Sequence, residues 1–184
     1  MPALTLLIIL IFVAIILSFA GSCVSREGEN FYLTKISPVS VKLQVLVKLA
    51  LYLVVAFASI LVTTAVVILT KQVTVGMGFA IMGIAMMIAI AITCMAVKLD
   101  INKPQFAVGG DGELINGNAS IFIALVVGFA IAVGFGIFGM VGIFLWGIPF
   151  TFGMIAVAAF AYMVAAIIWL LVKLGASYER IMQR

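Results

Sequence analysis

Five stretches of this chain run almost without a charge, and they decide most of what it can fold into. They cover roughly residues 3–20, 46–70, 75–97, 121–145 and 150–172, and the one charged residue among them is Lys48. About 20 apolar residues cross ~30 Å of hydrocarbon as an α-helix. Helix is the required state, because lipid leaves open backbone groups unsatisfied. The sequence therefore predicts an all-α, polytopic membrane protein. Its five transmembrane helices form one transmembrane domain over residues 1–184. The composition agrees: 67% of the 184 residues are hydrophobic and 9% are charged, against about 45–50% and about 25% in soluble domains. At roughly 20 apolar residues per span, little is left for an independent soluble domain of ~50 residues or more.

The first run reads as a span rather than a cleaved signal. It has no basic residue before it, and its apolar core exceeds the usual ~7–15 residues. Ala20-Gly21-Ser22-Cys23 has only a faint likeness to a lipoprotein cleavage box, because the upstream Leu of such a box is missing.

Basic residues give the five spans a direction. Arg26, Lys35, Lys42 and Lys48 lie in or beside loop 1 (21–45), Lys98 and Lys103 in loop 3 (98–120), and Lys173, Arg180 and Arg184 follow the last run. With alternating spans these nine share one side, and Lys71 stands alone on the other. The positive-inside rule then predicts the N-terminus outside and the C-terminus in the cytoplasm. The same rule accounts for the net charge of +4 without nucleic acid, which is not expected as a partner.

Several chemistries are excluded or poorly supported. There is no histidine, so histidine acid–base and triad chemistry is ruled out, and Cys23 and Cys94 alone assemble no zinc site. No acid falls in the middle of a run, where proton- or sodium-coupled carriers commonly place one. Thr63, Thr64, Thr93 and Tyr162 are the main polar candidates within the spans, and such threonines usually bond to backbone. Asp111-Gly112-Glu113 lacks the oxygen spacing of a calcium loop and reads as a solvated loop. Asn118-Ala119-Ser120 spells a glycosylation acceptor, but against a span and on the predicted cytoplasmic side. Catalytic, cofactor and metal sites are expected to be absent.

Gly134-Phe135-Gly136-Ile137-Phe138-Gly139 spells GxGxxG inside an apolar run, without the preceding strand a dinucleotide site needs. Its better reading is packing. Gly128, Ala132 and Gly136 recur every four residues and form a small-residue face that another helix can approach closely. Gly139 and Gly142 beyond it are expected to weaken the helix, so the outer part of the fourth run is a candidate for a broken or re-entrant segment.

Loop 1 is the most informative stretch. Phe31, Tyr32, Lys35 and Ile36 fall at helical spacing, with an apolar and a cationic side. Ser37-Pro38 looks like a cap followed by proline at the first helical position. These signals predict a short amphipathic helix stopping near 34–36 and the next helix starting near Pro38. The residues alone allow two roles: an interfacial anchor at lipid headgroups, or a docking helix for a cytoplasmic partner.

The sequence Ser25-Arg26-Glu27-Gly28-Glu29-Asn30-Phe31-Tyr32-Leu33-Thr34-Lys35-Ile36-Ser37-Pro38-Val39-Ser40 resembles a cytoplasmic loop of type-2 ABC exporter permeases. In one bacterial branch of that family the loop runs roughly Ser-Arg-Glu-Gly, an aromatic pair, a Leu-x-Lys step, then x-Pro-[Val/Ile]-Ser. Loop 3 resembles the same branch more loosely through Asp100, Lys103-Pro104, Phe106, Glu113 and Asn116-Gly117-Asn118. The Trp expected after Phe106 is missing. A permease half of that family has six spans, with the coupling loop after the second. This chain has one span before the loop, so it resembles the C-terminal five spans of a half.

The resemblance implies a multi-pass protein of the bacterial inner (plasma) membrane, acting as a permease subunit or C-terminal fragment of an ATP-driven exporter. Its implied partners are an ABC ATPase subunit, a second permease half or copy, and membrane lipid. The ATPase would dock on Arg26, Glu27, Gly28, Phe31, Tyr32, Lys35, Ile36 and Pro38. No GxxxxGK[ST] occurs, so ATP hydrolysis is expected in the partner and no enzyme activity in this chain. The alternative is a non-transporting small membrane protein that acts in assembly, immunity or scaffolding through the small-residue face.

Overall fold

The computed structural model describes residues 2–30, 36, 39–104, 119–172 and 174, and these are helical with no strand. Helix α1 (Pro2–Ile15) tightens into a 3-10 segment (Ile16–Ser22). A turn at Cys23 and Val24 leads to a second 3-10 segment (Ser25–Asn30). Four long helices follow: α2 (Val41–Leu69), α3 (Val75–Asn102), α4 (Ala119–Trp146) and α5 (Ile148–Leu171). Pro2–Ser22 together, and each later helix, are long and apolar enough to cross a membrane. The chain is an all-α, multi-pass membrane protein with five such spans among the described residues.

The helices outrun the apolar stretches at several ends. At 28 residues α3 is ~42 Å long, beyond the ~30 Å that hydrocarbon requires. It therefore carries Lys98 and Asp100 on its last turns, where the sequence placed the start of loop 3. α4 likewise begins at Ala119, inside the stretch read as that loop. α2 starts at Val41, not near Pro38. Ser40 takes the N-cap position (φ −60°, ψ 140°), and its carbonyl accepts from the N–H groups of Leu43 and Gln44. The Gln44 side-chain amide also donates to the Val39 carbonyl at 2.9 Å, which holds the entering chain.

α3 is the centre of the bundle. Within its most apolar window 67% of residues are buried, against 17% for α2 and 22% each for α4 and α5. α1, α2, α4 and α5 pack around it, with α1 between α2 and α4 and α4 beside α5. The core is aliphatic, with Leu7, Leu10, Ile11, Ile60, Ile81, Ile88, Ile92 and Ile155 all fully buried. Outward faces stay apolar, for example Leu51, Val54, Phe122, Phe144, Val157 and Phe160. In water that would be untenable; in lipid it is the expected surface. Polar groups inside the spans mostly turn back on their own helices, as Thr63 Oγ1 does to the Ser59 carbonyl (2.8 Å) and Thr93 Oγ1 to the Ala89 carbonyl (2.7 Å).

α4 runs unbroken from Ala119 to Trp146, which corrects the expectation of a break near Gly139 and Gly142. Those glycines are packing sites. A Cβ on Gly142 would lie 2.8 Å from Thr151 Cγ2, and one on Gly139 would collide with Leu4 Cδ1. The small-residue face continues the same seam against α1. Gly128 meets Ile15, Gly136 meets Ile8, and Ala132 is buried in the core. Packing on both sides outweighs the weak helix propensity of glycine, ~1 kcal/mol per residue.

Two turns close the far end of the bundle. Gly147 joins α4 to α5 at φ 81°, a left-handed conformation natural to glycine, and Pro149 sits in the first turn of α5. α2 ends in a Schellman-type motif, with N–H bonds from Lys71 to the Ile68 carbonyl (2.9 Å) and from Gln72 to the Val67 carbonyl (3.3 Å). Lys71 takes the left-handed position (φ 58°) that glycine usually fills.

Candidate functional site

Loop 1, the start of α2, the ends of α3 and α5 and the start of α4 meet at one end of the bundle. The meeting begins with a close approach. A Cβ on Gly21 would lie 3.3 Å from the Ile121 nitrogen, 3.4 Å from the Ser120 carbonyl carbon and 3.5 Å from the Ala96 oxygen. All three are backbone atoms that cannot swing away, so the first 3-10 segment, α3 and α4 touch at main-chain level because residue 21 has no side chain.

From that point the first span and α3 run in the same direction. Four residues after Ala96 on α3 comes Asp100, on the same helix face. It lies opposite Val24 and Ser25, three and four residues after Gly21. The Asp100 carboxylate accepts hydrogen bonds from the Val24 N–H (2.7 Å), the Ser25 N–H (3.1 Å) and the Ser25 hydroxyl. Asp100 is fully buried, at 0% exposure. A buried charge needs such partners, and charge-assisted bonds from backbone N–H groups are strong ones. The first N–H groups of a helix lack partners within it, and here a carboxylate 75 residues away supplies one for the second 3-10 segment.

Cys23 lies beside this contact, 8% exposed. Burial, and then the nearby Asp100 charge, push its thiol pKa up to about 12. Glu27 on the second 3-10 segment forms an ion pair with Lys48 of α2. Lys98, 4% exposed, donates to the Val172 carbonyl at 3.0 Å, next to the end of α5. A cation at a helix C-terminus is favourable. Lys98 and Asp100 are two residues apart, roughly 200° around the helix, so α3 grips α5 on one side and loop 1 on the other.

Of the predicted docking residues, Arg26, Glu27 and Gly28 fall in the second 3-10 segment, Arg26 being exposed. Ile36 is 73% exposed. Phe31, Tyr32, Lys35 and Pro38 lie outside the described residues, as does the amphipathic helix expected over most of that stretch. Lys98 and Asp100 were not among the site residues picked out from the sequence. Lys98 entered only the count of basic residues and Asp100 only the loop-3 resemblance, and both stand at the edge of a long apolar run.

Apolar grooves open between the spans. One of about 580 Å³ lies between α4 and α5, beside Phe135, Phe138, Met154 and Tyr162. Another of about 380 Å³ lies between α2, α3 and α5 and includes Leu46, Cys94 and Leu170. Neither is lined by a charged side chain.

No protein-family model matches the chain, and neither does any curated protein or solved structure.

Proposed function

We propose that this chain is a permease subunit, or the C-terminal part of one, in an ATP-driven ABC exporter, with loop 1 as the docking site of a separate ATPase. The observation that carries the reading is the order of residues from Ser25 to Ser40, including Ser25-Arg26-Glu27-Gly28, Phe31-Tyr32, Lys35 and Pro38. The fastening of the start of that stretch to α3 and α2 through Asp100 and Glu27 supports it, since a loop that passes on force must be attached to what it moves. The charge asymmetry supports a cytoplasmic loop 1 and an outside N-terminus, and residence in the bacterial inner membrane rests on the family resemblance alone. Phe31, Tyr32 and Ile36 fill apolar pockets of the partner in this reading, and Arg26, Glu27 and Lys35 set register.

The non-transporting alternative leaned on the small-residue face of α4. That face is covered by α1 of the same chain, which leaves it less to rest on.

The test is a Phe31→Ala/Tyr32→Ala double variant in membranes with the copurifying ATPase. ATPase stimulation by the permease should fall to the basal level while insertion is unchanged. Stimulation at the wild-type level would refute the docking assignment.

A further inference from the structure

Asp100 is buried more completely than its place at a span's edge requires. A carboxylate two residues from the end of a helix could turn outward to water. Here it turns inward onto loop 1 and accepts from two consecutive backbone N–H groups and a hydroxyl. Its partners are the last residue of the turn after span one and the first residue of the docking stretch. Around it the surroundings are tight, with Val24, Ser25 and Ile101 all at most 1% exposed. Gly21 fixes the same two elements at backbone contact one helical turn earlier. The start of loop 1 therefore has a defined position on α3, set by sterics at Gly21 and by directed hydrogen bonds at Asp100.

We propose that Asp100 is the positioning residue for the start of loop 1, holding Val24 and Ser25 on α3 so that they move with the bundle. The proposal deepens the exporter reading and rests on it only for what loop 1 docks; the anchoring itself does not depend on a partner. What matters at position 100 is an acceptor that reaches both N–H groups. Asparagine keeps one carbonyl oxygen there, and its amide can donate to a rotated Ser25 hydroxyl. Leucine matches the shape and offers nothing to accept with, leaving the two N–H groups stranded.

Cys23 reports on the contact, because its thiol is buried next to the bonds in question. The experiment uses the full chain in lipid nanodiscs with Cys94→Ala as background, and measures the rate of Cys23 modification by N-ethylmaleimide. Asp100→Asn removes the same charge from beside Cys23 and is the reference, and Asp100→Leu should label at least about tenfold faster than it. If the Leu variant does not insert, Asp100→Ser replaces it with the same expectation, its hydroxyl being too short to span both N–H groups. A Leu or Ser rate within twofold of the Asn rate overturns the proposal. In the complex with its ATPase, the Leu or Ser variant should also lose stimulation that Asn retains. The thiol assay contains no ATPase. If loop 1 does not dock one, only this last measurement fails; if Asp100 does not hold loop 1, the thiol rates fail even where the Phe31 and Tyr32 experiment succeeds.

Discussion

At the scale of single residues, two positions at the loop-1 end of this protein are constrained for different reasons. Gly21 is constrained by space. Gly21→Val sets carbon against three backbone atoms at 3.3–3.5 Å, and overpacking of that kind costs ~1–3 kcal/mol. A scanning thermal assay in detergent should show a lower melting temperature for Gly21→Val, whereas Gly76→Val, with nothing within 4 Å, shifts it much less. Cys23 is constrained by desolvation. Its raised pKa means the proton is held longer, so the reactive thiolate is scarce at neutral pH. With the thiol at about 12, maleimide labelling should climb close to tenfold per pH unit past pH ~9, where an ordinary thiol levels off. A plateau near pH 9 would mean that the site is open to water.

At the scale of elements, hydrophobicity made the five helices legible and helix-end chemistry blurred their limits. A run of apolar residues reports where lipid is, and α2, α3 and α4 continue past lipid for reasons that no local window holds. α3 persists to Asn102 while Lys98 finds the Val172 carbonyl and Asp100 finds Val24 and Ser25, partners about 75 residues away. Pro38 announced a helix start by a local rule, yet Ser40, also a good cap residue, took the position. Glycine misled in α4: from sequence Gly139 and Gly142 look like weak points, and only the neighbours Leu4 and Thr151 explain them. The seam yields a prediction. Gly128→Leu inserts a side chain where Ile15 Cγ1 already lies 3.1 Å from a Cβ, and it should separate α4 from α1 at a cost of ~1–3 kcal/mol. Disulfide trapping between cysteines placed at Ile8 and Gly136 should then slow markedly relative to the parent. At the α2–α3 turn, Lys71→Gly should raise thermal stability by up to ~1 kcal/mol, since it relieves a left-handed lysine.

At the scale of the whole molecule, α3 is the axis, and its loop-1 end is where the polar contacts between elements gather. α3 holds loop 1 through Asp100 and the end of α5 through Lys98, and Glu27 ties loop 1 to α2 through Lys48. The docking residues were proposed from the sequence alone, because loop 1 is a polar island whose residue order carries its own pattern. The anchor was not, because it is a property of two segments brought together by folding. In-cell photo-cross-linking checks whether an ATPase docks on loop 1, as proposed. A photoreactive amino acid at Tyr32 should give an adduct identified by mass spectrometry as a subunit bearing an ATP-binding P-loop, while the same probe at Trp146, at the far end of the bundle, should give none. Absence of that subunit from the Tyr32 adduct, or equal capture from Trp146, would contradict it.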